Sequence, residues 1–326
     1  MFKVIISESV YQDIVSTEEQ KAEEARTYLY KLLKQQTVKL LTAEETERYK
    51  SHPENVLKNP SALFVLDMTR TEALAIQRTY GVICLGRDSR SISPLIDVND
   101  IHISNEDETL GRGWDSVLDS VEDLPSNALL LTDRYLFSAR RPNFGNGIAN
   151  VQSILEELLP QQFLGGAYHV TILFDNQAKH ETYSFNDIVE QLEGVKQDLQ
   201  QSLNLDYPIM MEVIGITPDT PIYFKLHNRL IISNYYMVEA AHKLAAFNKN
   251  IGTTRQLLLP LALFTESSLN GKSTPPLKAI DQTLYSLRVF SKTLPTLSEA
   301  EQNTIFYAVD GKRMKKCMAI RNRLIK

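Results

Sequence analysis

The sequence predicts an α/β protein: an N-terminal α/β domain with a mostly parallel sheet, a second, mixed-sheet α/β domain, and a basic C-terminal helix. Three observations predict it. Short apolar runs alternate with helical periodicities over the first 86 residues, the pattern of strands that cross over through helices. The alternation breaks from about 87 to 126, where acids crowd around Gly111 and Gly113. It then resumes with apolar runs that end in carboxylates, at Asp133 and Asp175.

In the first domain, residues 1–125, Phe2–Ile6 reads as a short buried strand. Ala22, Ala25, Tyr28, Leu29, Leu32 and Leu33 recur at helical spacing, which predicts a helix over Glu18–Lys34. Val38–Leu41 is strand-like, and Thr42 with Glu45 three positions on reads as a capping box. Ala62–Leu66 is an apolar strand, a helix follows over Arg70–Thr79, and Gly81–Leu85 is a strand. Ile101–Ser104 reads as a short strand within the acidic stretch, and Leu124-Pro125-Ser126 marks the boundary.

The second domain, residues 126–292, opens with the strand Ala128–Phe137, which runs into the polar cluster Asp133-Arg134-Tyr135. A helix over Ile148–Leu159 stops at Pro160, and a strand at His169–Phe174 ends at Asp175. Phe185–Leu203 is an amphipathic helix capped by Ser184 or Asn186. Ile209–Ile216 is a strand, Tyr223–Ser233 is one strand or two meeting near His227, Leu257–Phe264 is a strand, and Leu277–Ser291 is a helix. In the tail, residues 293–326, Ser298 and Glu301 have capping-box spacing and predict a last helix towards the C-terminus.

At 326 residues the chain exceeds the usual size of one core, so two domains are expected. Apolar residues at 43% and charged residues at 23% are ordinary for a globular protein. Cys84 and Cys317 are far apart and form no CxxC pair, so neither a disulfide framework nor a structural zinc site is expected. Met1–Ser7 lacks a signal-peptide core, and the apolar run Leu257–Phe264 is too short to span a bilayer. The expectation is a cytoplasmic protein with no membrane span and no cofactor.

The net charge is −5 and unevenly spread. Residues 1–200 hold 19 basic and 31 acidic side chains; residues 201–326 hold 16 and 9. Seven cations, Lys312, Arg313, Lys315, Lys316, Arg321, Arg323 and Lys326, fall in the last 17 residues. Such asymmetry suits an anionic partner such as nucleic acid, or equally an attraction between the two halves. On a helix, Met314, Cys317, Met318 and Ile325 would share the opposite, apolar face, and such a face more often packs on its own domain than on a partner.

The most suggestive segment is Phe224–Asn234, with His227, Arg229 and Asn234 around an apolar run. This spacing resembles the H-x-K-x4-D motif of the phospholipase D superfamily. That resemblance implies a nucleophilic imidazole at His227, a phosphate-holding cation at Arg229 in place of the lysine, and Asn234 in place of the orienting aspartate. Asn234 cannot supply the negative charge, and Ala241–Leu244 stands where the family carries its downstream Ser and Asn. The resemblance covers residues 127–292. It implies an α/β domain, Asp133, Tyr135 and Asp175 as supporting residues at strand ends, and two copies of the site for activity, from a tandem repeat or a homodimer. Degenerate relatives of this kind occur in bacterial mobile-element and antiphage systems. The plain structural alternative is a strand whose His227 and Arg229 are satisfied by Asp133 and Asp175.

A second candidate lies in the first domain. Asp67 and Asp88 follow strands, and with Glu8 or Asp13 would suit Mg²⁺. No GxxxxGK[ST], GxGxxG, HExxH or GxSxG pattern occurs. The sequence therefore favours a non-enzymatic accessory or sensor protein that binds nucleic acid or a protein partner. A phosphodiesterase using His227, or a metal-dependent nuclease in the first domain, are its alternatives.

Overall fold

The computed structural model describes residues 3–89, 101–103, 124–138, 144–177, 184–216, 218, 229–240, 256–262, 284–289, 291–292, 305–309, 315–316 and 320–325. The fold is α/β. Strands β1 (Lys3–Ser7), β2 (Val38–Leu41), β3 (Ala62–Val65) and β4 (Cys84–Leu85) form an all-parallel sheet in the order β2-β1-β3-β4. Helices join each strand to the next: α1 (Glu8–Glu18) and α2 (Tyr28–Gln35), then α3 (Ala43–Ser51), then α4 (Arg70–Tyr80). A parallel sheet needs apolar side chains on both faces. Val4, Ile6, Leu63 and Val65 enter the main core, while Ile5, Phe64, Leu66 and Cys84 pack on the other face with Tyr49 and Tyr80.

The single helix expected over Glu18–Lys34 is instead the end of α1, a 3-10 turn at Glu23–Ala25, and α2. Glu18 explains the break. Its buried carboxylate accepts the Thr27 amide at 2.6 Å and Lys21 Nζ at 2.7 Å, which folds the chain back between the helices. Burial works to raise the Glu18 pKa, but Lys21 and the Thr27 amide outweigh it and hold it below the usual value. The capping box of Thr42 and Glu45 forms as expected, and Thr69 with Glu72 forms another at α4. Gly81 ends α4 at φ 60°, where a Cβ would stand 2.1 Å from the Ser126 carbonyl oxygen. Glycine is required there for both the turn and the close approach of the chain.

The second sheet contains β5 (Ile101–Ile103), β6 (Ala128–Thr132), β7 (Tyr168–Asp175), β8 (Ile209–Ile216), β9 (Arg229–Ile232), β10 (Tyr236–Ala240), β11 (Gln256–Ala262), β12 (Ile305–Val309) and β13 (Lys315–Lys316). Its order is β13-β12-β8-β7-β6-β9-β10-β11-β5. The central β6, β7 and β8 run parallel, with α5 (Phe144–Leu158) and α6 (Phe185–Ser202) as their crossovers; every other pairing is antiparallel. Ser184, with Asp187, caps α6. β5 pairs with β11, so strand pairing crosses the expected boundary at 125. Buried residues of both sheets form one continuous apolar cluster.

The tail departs from the expected basic helix. Ile305–Val309 is a strand that pairs with β8, and Lys315–Lys316 pairs with it in turn. The run Ile-Phe-Tyr-Ala-Val is β-branched and aromatic, and an open edge of β8 gives it a partner. Residues 320–325 are not helical either. Ile320, Leu324 and Ile325 are buried, and Asn322, with no exposure, donates to the Leu129 carbonyl (2.9 Å) and to Thr171 Oγ1 (3.0 Å). Arg288 clasps this segment through the carbonyls of Leu324 and Ile325. The proposed capping pair, Ser298 and Glu301, lies outside the described residues. Among the described residues no helix is long and apolar enough to cross a membrane.

Candidate functional site at the carboxyl edge of the second sheet

Parallel strands direct their carboxyl ends to one edge, where α/β proteins hold ligands. At this edge β6 ends in Thr132, with Asp133 just beyond it, and β7 ends in Asp175. The antiparallel β9 begins here, because Leu230 pairs with Thr132. Its first residue, Arg229, therefore meets Asp133, with Nε 3.5 Å from Oδ1. The neighbouring strand repeats the arrangement: Arg134 Nε lies 3.1 Å from Asp175 Oδ2.

Each carboxylate is fixed by its own turn. Asp133 Oδ1 accepts the Tyr135 amide at 2.9 Å, and Asp175 Oδ1 accepts the Gln177 amide at 2.8 Å. The two turns are joined by the Asp175 amide, which donates to the Arg134 carbonyl at 3.1 Å. Asp133 and Asp175 are buried, whereas the Arg134 and Arg229 side chains keep 22% and 21% exposure. The charges alternate, so each pair is formally neutral and the burial of the acids is compensated. The Arg134 guanidinium also lies 5.2 Å from the centre of the exposed Tyr135 ring. The result is two planar cations, each beside a buried carboxylate and partly open to solvent, next to an exposed aromatic ring.

Asn234 does not join them. It follows β9 at the other end, five positions from Arg229, which is roughly 16 Å along a strand. It is fully buried, and its Oδ1 accepts the amides of Asn127 (2.9 Å) and Ala128 (3.2 Å). Its Nδ2 donates to the Pro60 carbonyl (2.7 Å) and to Asn127 Oδ1 (3.0 Å). Pro60 precedes β3 and Asn127 precedes β6, so this amide ties the two sheets together. Next to it, the buried Tyr235 hydroxyl donates to the Ala62 carbonyl and accepts the Ile83 amide. His227, the expected nucleophile, lies outside the described residues.

The tail cations divide. Lys312, Arg313 and Lys326 lie outside the described residues, and Lys315 and Lys316 form the edge strand β13. Arg321 turns inward: its amide (2.8 Å) and its Nε (3.2 Å) both reach Glu212 Oε1. Arg323 donates to the carbonyls of Asn127 and Gly165 and lies 5.4 Å from the Phe163 ring centre; burial lowers its pKa to about 10. These two arginines hold the tail against the sheet because the segment is an inserted turn rather than a surface helix.

In the first sheet Asp67 accepts Arg87 Nη2 at 2.8 Å and the Ser9 hydroxyl at 2.9 Å, while Glu8, Asp13 and Asp88 are exposed. Among the described residues no three His, Cys, Asp or Glu side chains converge as a metal set. Cys84 is a buried thiol whose pKa burial pushes up to about 12, which leaves it unreactive.

Two residues escaped the sequence reading. Arg134 stood inside the Asp-Arg-Tyr cluster, and its position after a strand was the available signal. Glu212, a lone acid in the apolar run Ile209–Ile216, is fully buried in β8 and receives Arg321 and the Thr171 hydroxyl. No family model matches the chain, and no curated protein or solved structure is similar to it.

Proposed function

We propose that the chain is a non-enzymatic binding protein that engages the phosphate backbone of nucleic acid at the carboxyl edge of the second sheet. One observation carries this reading: Arg134 and Arg229 stand at adjacent strand ends, each paired through Nε with a buried carboxylate, at 3.1 Å and 3.5 Å. A guanidinium is a planar fork suited to phosphate, and prior orientation reduces the entropy lost on binding. The exposed Tyr135 ring adds a surface on which a base can stack. The surplus of cations over residues 201–326 supplies the long-range attraction that two neutralised pairs lack.

The test is titration of a labelled single-stranded oligonucleotide over a range of salt. Affinity is expected to fall linearly with log salt. Arg229→Gln is expected to weaken it about tenfold, equal to about 1.4 kcal/mol. His227→Ala is expected to leave it nearly unchanged. Salt-insensitive or absent binding overturns the reading. Oligonucleotide cleavage that survives EDTA and is lost in His227→Ala would replace it with phosphodiesterase chemistry. Cleavage abolished by EDTA would move the activity to a carboxylate–metal centre.

A further inference from the structure

The first sheet has its own carboxyl edge, and that edge is open. β1 is flanked by β2 on one side and β3 on the other, so the chain winds outward in both directions from it. This is the topological switch point, where helices diverge and leave a crevice. A cavity of about 550 Å³ fills that position, within the range of small-molecule sites. Its lining is drawn from Glu8 and Gln12 of α1, Leu41 at the end of β2, Thr46, Glu47 and Lys50 of α3, and Asp67 just after β3.

The base of the crevice is rigid. Buried Ser7 shares a 2.9 Å hydrogen bond with Thr46 and accepts the Asp67 amide at 3.0 Å. This ties the ends of β1 and β3 to α3. Cations inside and beside the cavity answer two of its three acids. Arg87 pairs with Asp67 at 2.8 Å, and Lys50 lies 3.7 Å from Glu47. Glu8, in the first turn of α1, has no cation partner among the described residues.

The lining disfavours phosphate. α1 starts directly after β1 with no glycine-containing loop, and an acid occupies the turn whose amides would otherwise receive an anion. Acceptors outnumber donors, and one carboxylate is left over. From this arrangement we infer that the crevice binds a small aliphatic amine, held between Glu8 and the Gln12 amide oxygen, with its carbon stem against Ala43. The site is separate from the arginine edge of the second sheet and does not depend on the nucleic-acid reading.

Calorimetric titration of the full chain with putrescine tests this. Saturable one-to-one binding is expected. Glu8→Gln, an exposed and nearly isosteric change, is expected to weaken it roughly tenfold, equal to about 1.4 kcal/mol. Ala43→Trp fills the mouth from an exposed position at the start of α3 and is expected to abolish it. Circular dichroism of both variants should match the parent. Three outcomes overturn the inference: no putrescine heat, putrescine binding unchanged by Ala43→Trp, or binding of adenosine monophosphate or Mg²⁺ in its place.

Discussion

The two ends of β9 use polar residues in opposite ways. At its start, Arg229 meets Asp133 beside a second Arg–Asp pair, and both guanidiniums keep about a fifth of their surface in solvent. Past its other end, Asn234 is sealed from solvent and divides its hydrogen bonds between Pro60 on one side and Asn127 and Ala128 on the other. One end orients charge at a surface; the other joins two sheets. Residues that share a short sequence motif are therefore separated here by the length of a strand. The comparison holds if changes at the Asn234 end strike stability and changes at the Arg229 end strike binding.

The largest effect is expected at Asn234. Asn234→Ala leaves the amides of Asn127 and Ala128 and the carbonyl of Pro60 buried without this partner. Each such orphan costs about 1–3 kcal/mol, so a loss of roughly 3–9 kcal/mol is expected. That is a large share of the 5–15 kcal/mol typical of a whole domain. Urea denaturation measures it. A loss under about 1 kcal/mol would mean that the sheets are held together by apolar contact alone, and the contrast between the ends would fail.

At the arginine edge, Arg134→Ala strands the buried Asp175 carboxylate, and a loss of about 3 kcal/mol is expected. Arg134→Ala with Asp175→Asn removes both charges and is expected to recover more than half of that stability, because the neutral amide no longer needs a cation. Oligonucleotide affinity should stay low in both variants. Stability and binding would then separate at this end. Recovery of affinity along with stability would show that Arg134 acts only as a brace.

Much of this fold was legible because local chemistry and tertiary demand agree. Val38–Leu41, Ala62–Val65 and Ile209–Ile216 are apolar runs that become strands, and Thr42–Glu45 is a capping box in both readings. What the sequence hid depended on contacts between distant residues. The apolar spacing from Ala22 to Leu33 runs across a break made by Glu18, whose carboxylate reaches nine positions on to the Thr27 amide, beyond the reach of a helical periodicity. Ile305–Val309 has the β-branched and aromatic make-up of a strand, but the edge of β8 that it pairs with is not visible in the sequence. The clustering of Arg229 with Asp133 followed from the motif's spacing and from strand-end acids. The structural duty of Asn234 did not, since its partners lie 107 and 174 positions away.

Glu212 sits between the two ends, in the middle of the sheet, and tests whether a charge there behaves like either. Burial raises its pKa above the ordinary 4.5, against the opposing pull of Arg321 and Thr171. The folded chain thus keeps this proton at pH values where the unfolded chain has released it. Its contribution to stability is full below pH 4.5 and is lost as pH rises through the folded value. In Glu212→Gln the amide oxygen can still accept from Arg321, and its nitrogen can donate to Thr171 Oγ1, so the geometry survives. The variant should gain on the parent as pH rises through that window, read as a growing difference between their denaturation midpoints. An opposite trend, with the parent gaining as pH rises, would mean that Arg321 outweighs burial. Glu212 would then be a stabilising ion pair like those of the arginine edge, rather than a buried acid that the closing tail keeps from water.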